Sequence, residues 1–157
     1  MNKYKFLVSS EVAIMLKDMG FNDICAFCYS TAMKHNGDDI DFDEECELKA
    51  EGRENEIERV PFEKISQFAC SNKTLDTEHA VACPDIYQAM DWFRTNYNVY
   101  FTYDIFGSHL EPCFLVSVKK FNDGLVESVC TLTSLSSYEE TFNKAIKLAI
   151  EYINELN

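Results

Sequence analysis

Glycine is scarce in this sequence, and the motifs that depend on it are missing. The chain has only five glycines among 157 residues. It contains no glycine-rich phosphate loop, no nucleophile elbow and no helical metalloprotease motif. Without a catalytic signature, the sequence predicts a protein that is not an enzyme, and it assigns no catalytic, cofactor-binding or metal-binding residue.

Positive charge is also scarce, and this excludes two classes of ligand. The chain has 14 lysines and arginines against 27 aspartates and glutamates, so its formal net charge is -13. Binding to phosphate groups needs a basic patch, and no such patch appears in the sequence. We therefore expect no direct binding to nucleic acid and none to an anionic membrane surface.

Long hydrophobic runs are absent as well. The apolar run near the N-terminus comprises only Phe6, Leu7 and Val8, which is too short for the core of a signal peptide, and no later run approaches membrane-spanning length. We therefore expect a cytoplasmic protein. The seven cysteines are odd in number and scattered through apolar segments, which favours reduced and mostly buried thiols over a disulfide framework.

What the sequence does contain is enough apolar material for a folded core. Hydrophobic residues make up 46% of the chain and aromatic residues 13%, and 157 residues suit one domain of ordinary size. The patterns described below predict a single globular domain over residues 1–157. Its class is α+β, with a mainly antiparallel sheet, helices packed on it, and elements in the order α-β-β and then α-β-β-β-α.

The first 60 residues predict a helix followed by an acidic hairpin. Ser10 is expected to cap a helix that runs to Met19, and "ICAFCYSTAM" is typical of a strand. The pair Asn36-Gly37 favours a two-residue type I′ turn. Beyond this turn, "DIDFDEECELKAE" alternates in polarity and predicts a second strand. Its core face would hold Ile40, Phe42, Cys46 and Leu48, and its solvent face would hold Asp39, Asp41, Asp43, Glu45 and Glu47.

The acidic charge is concentrated around this predicted strand. Between Asp38 and Glu58 there are eleven acidic residues against Lys49 and Arg53, so this segment carries nine of the thirteen net negative charges. Carboxylates at alternate strand positions would repeat about every 6.6–6.8 Å. We interpret the row as a candidate interaction face for a basic protein. Two alternatives stay open, namely a face that only keeps the sheet soluble and a face that imitates a nucleic-acid backbone.

The second half predicts an α-β-β-β-α unit over residues 83–157. Pro84 is expected in the first turn of a helix whose apolar stripe comprises Ile86, Ala89, Met90, Phe93 and Tyr97. Three strands follow, with a hairpin turn at Asp123-Gly124, and Ser137 with Glu140 predicts a capping box before the last helix. Residues 52–82 have weak patterns, and only "VPFEKISQF" suggests a short helix there.

The aromatic residues near the only tryptophan fit these helix and strand periods, so we interpret them as packing residues. Trp92 lies just beside the apolar stripe of its helix, next to Phe93. Tyr87, Tyr100 and Tyr103 could line a groove, but no feature of the sequence selects a ligand for them.

Two resemblances accompany these patterns. The α-β-β-β-α order resembles that of double-stranded-RNA-binding domains, but the basic start of that family's last helix is replaced here by "SSYEETF", which would repel phosphate. The phrases "MLKDMGFNDICAFCY" and "CPDIYQAMDWFRTNY" resemble small uncharacterised acidic proteins of Bacteroidota and their phages. That resemblance implies a bacterial or phage origin in the cytoplasm, and it implies no activity and no site residues.

Three further sets of residues contain side chains of the types that bind metal ions or act as nucleophiles. Cys25 and Cys28 with His79 and Cys83 would supply four zinc ligands, but positions three apart in a regular strand face opposite ways unless the strand bends. The spacing of Asp39, Asp41 and Asp43 resembles the start of an EF-hand loop, although Glu44 replaces the required glycine. His109 precedes Cys113 by four residues, and a nearby base could activate this thiol.

The sequence therefore favours a non-catalytic, acidic protein-interaction module with a basic protein partner and, as a further expectation, self-association through sheet edges. Two alternatives remain. One is a nucleic-acid mimic that inhibits a basic nucleic-acid-binding protein, and the other is a small Cys/His enzyme.

Overall fold

The computed structural model describes residues 6–75, 78–108, 111–134 and 137–156. The predicted α+β class is confirmed, with antiparallel strands in two sheets and helices in the predicted order. The elements are α1 (Ser10–Asp18), β1 (Cys25–His35), β2 (Asp38–Asp39), α2 (Phe42–Ala50), a 3-10 turn (Glu54–Glu56), β3 (Ile57–Cys70), β4 (Ala80–Cys83), α3 (Ile86–Tyr97), β5 (Val99–Ser108), β6 (Glu111–Asn122), β7 (Leu125–Ser134) and α4 (Tyr138–Leu156). None of the described helices is long and apolar enough to cross a membrane.

The chain divides into two compact units. One unit combines residues 1–21 with residues 84–157, and the other comprises residues 22–83. Helix α1 belongs to the unit that contains the C-terminal half, whereas it was predicted to group with the acidic hairpin. We call these the α3–α4 unit and the α2 unit, and we describe each by itself.

The α3–α4 unit is built on a three-stranded antiparallel sheet in the order β5-β6-β7. The predicted turn at Asp123-Gly124 is confirmed, since both residues have positive φ angles of 45° and 84°. Helix α3 contacts β5, while α4 contacts β6 and β7. The helices bury the central strand, where Val116 and Val118 are fully covered.

Local capping explains where α3 begins and ends. The Asp85 carboxylate accepts a hydrogen bond from the Gln88 N–H at 2.8 Å, and Gln88 Oε1 accepts one from the Asp85 N–H at 3.2 Å. This capping box makes Asp85 the N-cap, so Pro84 precedes the helix instead of lying in its first turn as predicted. Asn98 ends the helix in the left-handed conformation, with φ 55°.

The apolar stripes of the two long helices are largely confirmed. In α3, Ile86, Ala89 and Phe93 are buried, and so is Trp92, whose ring meets Phe21 edge-on at 5.7 Å. Trp92, Phe93 and Phe101 therefore belong to the core, as predicted, whereas Tyr87, Tyr100, Tyr103 and Phe106 are exposed. In α4, the Ser137 hydroxyl accepts a hydrogen bond from the Glu140 N–H. The buried side chains of α4 are Thr141, Phe142, Ala145, Ile146, Ala149, Ile150 and Ile153.

Helix α1 is confirmed with a different cap. The Ser9 hydroxyl accepts a hydrogen bond from the Val12 N–H at 3.3 Å, so Ser9, and not Ser10, is the N-cap. Val12, Ala13 and Leu16 form its buried face.

In the α2 unit, β1 is the central strand. It pairs with β2 and β4 and, over nearly its full length, with β3. The Asn36-Gly37 turn is confirmed by φ angles of 54° and 88°, and it aligns His35 with Asp38 and Lys34 with Asp39. The predicted short helix at "VPFEKISQF" is wrong, because this segment lies within β3. Pairing with the long strand β1 supplies backbone hydrogen bonds that outweigh the weak local helix preference.

The predicted acidic strand is wrong beyond Asp39. The Asp41 carboxylate accepts a hydrogen bond from the Glu44 N–H at 2.9 Å, and Glu44 Oε2 accepts one from the Asp41 N–H at 3.2 Å. This capping box starts α2 at Phe42. At the other end Gly52 has φ 73°, and the Arg53 N–H donates to the Leu48 carbonyl in the pattern of a Schellman cap.

Phe93→Asp or Ile146→Asp is expected to lower the free energy of unfolding by about 3–5 kcal/mol, because each places an uncompensated charge at a fully buried position. Urea denaturation measures the change. Leu125→Asp is the matched control, since Leu125 is 76% exposed and the same charge there meets water. Equal stability of the two core variants and the control would contradict the packing of α3 and α4 described above.

Candidate interaction surfaces

The five predicted interaction residues do not share a strand face. Asp39 ends β2, with its carboxylate 4.0 Å from Lys34 Nζ, and Asp41 is the N-cap of α2. Asp43 and Glu47 are exposed on α2, whereas Glu45 is buried. The regular carboxylate row is therefore absent, and the nucleic-acid-mimic hypothesis loses the spacing that supported it.

Glu45 attaches α2 to the neighbouring strand. Its Oε1 accepts hydrogen bonds from Arg59 at 2.6 Å and from Lys49 at 2.8 Å, and the residue is only 5% exposed. The hydrogen bond from Lys49 holds the pKa of Glu45 below its usual range, with a further contribution from Arg59, although burial acts in the opposite direction. A buried carboxylate is stabilised by such cationic partners, so Glu45 fixes the side of α2 that faces β3.

The opposite side of α2 carries what we call the α2 surface, formed by Phe42, Asp43, Cys46 and Glu47. All four residues are exposed, and Phe42 is 71% exposed. Among the residues that the structure describes, Asp43 and Glu47 form no ion pair. Phe42 and Cys46 were predicted to lie in the core because a period of two, as in a strand, would put them on the same face as Ile40 and Leu48.

A small pocket of about 190 Å³ lies between this helix and the hairpin turn. Glu44, Glu47 and Glu51 contribute to it from the helix side, and His35 and Arg53 provide its nitrogen groups. Arg53 donates to Glu56 at 2.8 Å and to Glu51 at 3.1 Å. The bond from Arg53 lowers the pKa of Glu56 to about 2, with a smaller contribution from His35. Because acids already neutralise its arginine, the pocket does not suit an anion.

The cysteines that were considered as zinc ligands do come together, but without His79. A register shift between Cys25 and Phe27 bends β1, so Cys25 and Cys28 are both buried. Cys70 and Cys83 are buried near them, whereas His79 is exposed.

This cysteine cluster has no metal-binding geometry. In the described ranges, no group of three or more histidine, cysteine or acidic side chains could hold a metal ion. This includes Asp39, Asp41 and Asp43, whose spacing resembles the start of a calcium-binding loop. Burial raises the pKa of Cys70 to about 11 and that of Cys83 to about 12, and it raises the pKa of Cys28 as well. Thiols in this state are poor nucleophiles at neutral pH.

Of the pair His109 and Cys113, on which the alternative of a small Cys/His enzyme depends, the structure describes only Cys113. Cys113 lies in β6 opposite Phe106 and is partly buried. His109 lies outside the residues that the structure describes. The Cys/His enzyme therefore stays an untested alternative.

A second surface lies in the α3–α4 unit, between α3 and β5. A pocket of about 230 Å³ is lined by Tyr87, Met90, Asp91, Arg94, Tyr100 and Phe101. Of the three tyrosines singled out in the sequence, Tyr87 and Tyr100 meet in this pocket. Tyr103 instead packs edge-on against Tyr138 at 5.7 Å. We call this cavity the β5–α3 pocket.

Glu45→Gln is expected to reduce the free energy of unfolding at pH 7 by on the order of 1–3 kcal/mol, because it removes the charge that Arg59 and Lys49 bind. Glu47→Gln on the same helix is the control and should have little effect. The pKa of Glu45 is lowered in the folded state. The difference in unfolding free energy between the parent and Glu45→Gln is therefore present above the ordinary glutamate pKa, and it is lost as pH falls through the folded pKa. Urea titrations at several pH values measure it, and a difference that persists at the lowest pH would contradict the ion pairing.

The thiols are expected to react with a disulfide reagent in two classes. Cys46 is exposed and should react first, while Cys25, Cys28, Cys70 and Cys83 are buried and should react only when the chain unfolds. Absorbance stopped-flow on the parent and on Cys46→Ser identifies the fast thiol. A fast phase that survives Cys46→Ser and disappears in Cys113→Ser would instead favour the Cys/His enzyme.

No protein-family model, no curated protein and no solved structure matches this chain.

Proposed function

We propose that the protein is a non-catalytic protein-interaction module that binds a basic partner protein through the α2 surface. The observation that carries the proposal is the exposure of Asp43 and Glu47 beside Phe42, with no ion pair to either acid among the described residues. This combination supplies a charge that attracts the partner and an aromatic side chain that a partner can bury.

The charge of the α2 unit supports the electrostatic part of the proposal. Nine of the thirteen net negative charges lie between Asp38 and Glu58. Some of these acids are already paired within the unit, since Glu45, Glu51 and Glu56 each bind a cationic side chain. Asp43 and Glu47 remain available to a basic surface, and complementary charge of this kind raises association rates and selects partners.

Phe42 supports the apolar part of the proposed interface. A fully packed helix would direct its aromatic residue toward the sheet, but Phe42 is 71% exposed at the start of α2. Aromatic side chains contribute much of the free energy of binding at protein interfaces when a partner removes them from water. Exposed acids alone would account for solubility, whereas the phenylalanine among them supports an interface.

Asp43→Asn with Glu47→Gln is expected to weaken retention of a basic partner, and Phe42→Ala is expected to weaken it separately. The acid change removes two charges and leaves Asp41, Glu44 and Glu45 in place to hold the helix. The measurement is affinity capture from a bacterial lysate with stepwise salt elution, followed by mass spectrometry. Proteins that the parent retains should be absent or should elute at lower salt, because screening weakens exposed charge pairs.

The matched control for this experiment is Glu151→Gln with Glu155→Gln, which removes the same charge from the exposed side of α4. The control should retain the same proteins as the parent at the same salt. Identical retention by the parent, the control and both α2-surface variants would contradict the proposed function.

A further inference from the structure

Helices cover one face of the β5-β6-β7 sheet. Tyr103 packs edge-on against Phe142 of α4 at 5.8 Å, and its register partner Val116 is fully buried, so these residues mark the covered face. Side chains alternate along a strand, so the neighbours of these residues belong to the opposite face. On that side the hydroxyls of Ser117 and Thr131 lie 3.3 Å apart.

We call this opposite side the open face, and the strand register arranges it in five rows. In order along the sheet, the rows are Phe121 with Val126; Tyr100, Lys119 and Ser128; Thr102, Ser117 and Thr131; Asp104, Leu115 and Thr133; and Phe106 with Cys113. Phe106, Phe121 and Val126 are 49%, 41% and 56% exposed. The two ends of the open face are therefore apolar and reach solvent, while the middle row is small and polar.

These rows carry one charge of each sign. Lys119 lies in the second row and Asp104 in the fourth, so each is one row from the middle. Asp104 Oδ1 accepts a hydrogen bond from the Ile105 N–H at 2.9 Å, which orients the carboxylate. In the part of the chain that the structure describes, neither Lys119 nor Asp104 forms an ion pair. The five rows are therefore neutral in sum, with a cation and an anion at equal distances from their centre.

A twofold axis through the middle row would pair these charges between two copies of the chain. Two sheets stack face to face about 10 Å apart. An axis that lies between them and runs across the strands reverses the order of the rows, so Lys119 of one copy lies beside Asp104 of the other. The contact occurs twice, because such an interface is isologous. An axis along the strands would instead place Lys119 against Lys119, so charge selects the first arrangement.

The same axis also matches the apolar ends and the polar middle. It places the row of Phe121 in one copy over the row of Phe106 in the other, which removes exposed aromatic surface from water. In the middle row, Ser117 and Thr131 already lie within hydrogen-bonding distance of each other. Hydroxyls that have such a partner can be covered at little cost.

We propose that two copies of this chain associate through the open face as a twofold-symmetric dimer, in which Lys119 of each copy pairs with Asp104 of the other. This site goes beyond the proposed function, because it lies in the other unit and takes a second copy instead of a basic partner. It also differs from the expected self-association through sheet edges, since the two sheets stack and no strand is added to either.

The size and charge of the chain predict a weak dimer. Three strands of 10 to 12 residues form the face. Such a face projects roughly 14 Å by 33 Å, which belongs with weak or transient interfaces. Each copy has a net charge of -13, and self-repulsion opposes association, although nine of these charges lie between Asp38 and Glu58, outside this sheet, and salt screens them. We therefore expect a dissociation constant on the order of micromolar at physiological salt.

Sedimentation velocity of the full chain over a concentration series tests the dimer. The parent is expected to change from monomer to dimer as its concentration rises from about 1 μM to about 500 μM. Lys119→Glu alone and Asp104→Lys alone should each weaken dimerisation at least about tenfold, because each dimer then contains two contacts between like charges. Thr102→Arg should also weaken it, since the axis places this exposed middle-row position against itself.

An equimolar mixture of Lys119→Glu and Asp104→Lys gives the decisive measurement. In a mixed dimer, one copy supplies two acidic side chains at these positions and the other supplies two basic ones, so both contacts are attractive again. The mixture should therefore dimerise about as tightly as the parent. A fluorescent label on one of the two variants identifies the mixed dimers.

Two controls make the same changes of charge elsewhere. Lys144→Glu and Glu155→Lys alter exposed positions of α4, and each alone should dimerise like the parent. Asp43→Asn with Glu47→Gln should also leave the dimer unchanged, so a failure of this proposal can be distinguished from a failure of the proposed function. Thr102→Arg keeps the test valid even if one of the charge-reversed variants does not fold.

Four results would overturn the proposal. The first is a parent that stays monomeric over the whole series, and the second is a dimer that Lys119→Glu and Thr102→Arg leave unchanged. The third is weakening in both charge-reversed variants with no recovery in their mixture, because the two charges then do not meet across the axis. The fourth is loss of the dimer in Asp43→Asn with Glu47→Gln, which would assign association to the α2 surface.

Discussion

The buried carboxylate of Glu45 determines which acids of α2 meet the solvent. Its charge needs cationic partners, and Arg59 on β3 and Lys49 one turn along the helix supply them. Once this side of α2 faces β3, Asp43 and Glu47 must face outward together with Phe42. The proposed interface therefore depends on one buried ion-pair group and not on acidic composition as such.

In the α3–α4 unit, the position of the helices has a comparable effect on the sheet. The stripes of α3 and α4 cover the central strand, and the capping box at Asp85 fixes where α3 starts relative to β5. The edge of β5 is left without a neighbouring strand among the described residues. The β5–α3 pocket forms where the helix approaches that edge, so the packing that buries the core also forms this pocket.

The sequence predicted the elements whose signals are long and periodic. The helices around Phe93 and Ile146 have several buried turns each, and the two hairpin turns require residues that tolerate positive φ. The strand predicted after Asp39 is wrong for a physical reason. A few alternating apolar residues fit a strand, but Asp41 with Glu44 fits the start of a short helix, and Gly52, nine residues after Asp43, fits its end. The interruption of the alternation at Glu44 was the signal that favoured the helix.

Other parts of the structure had no local signal. Strand β3 depends on pairing with β1, whose paired residues lie 22 to 45 positions away in sequence, and no periodicity within "VPFEKISQF" reveals that partner. The grouping of Cys70 with Cys28 is a consequence of the same pairing. Tyr87 and Tyr100 could be named as candidates for a groove, but their pocket depends on the packing of α3 against β5, which no local pattern in the sequence reveals.

Strand β5 ends the β5-β6-β7 sheet on one side, and the Asp104 carboxylate on it accepts a hydrogen bond from the Ile105 N–H at 2.9 Å. This bond affects how the protein behaves in a concentrated solution. An edge strand with every outward group open can pair with another edge and then repeat, which leads to aggregates. Asp104 occupies one donor with its own carboxylate and leaves a negative charge at that point, so a growing sheet of identical chains meets both a missing hydrogen bond and repulsion. Asp104 thereby limits open-ended polymerisation.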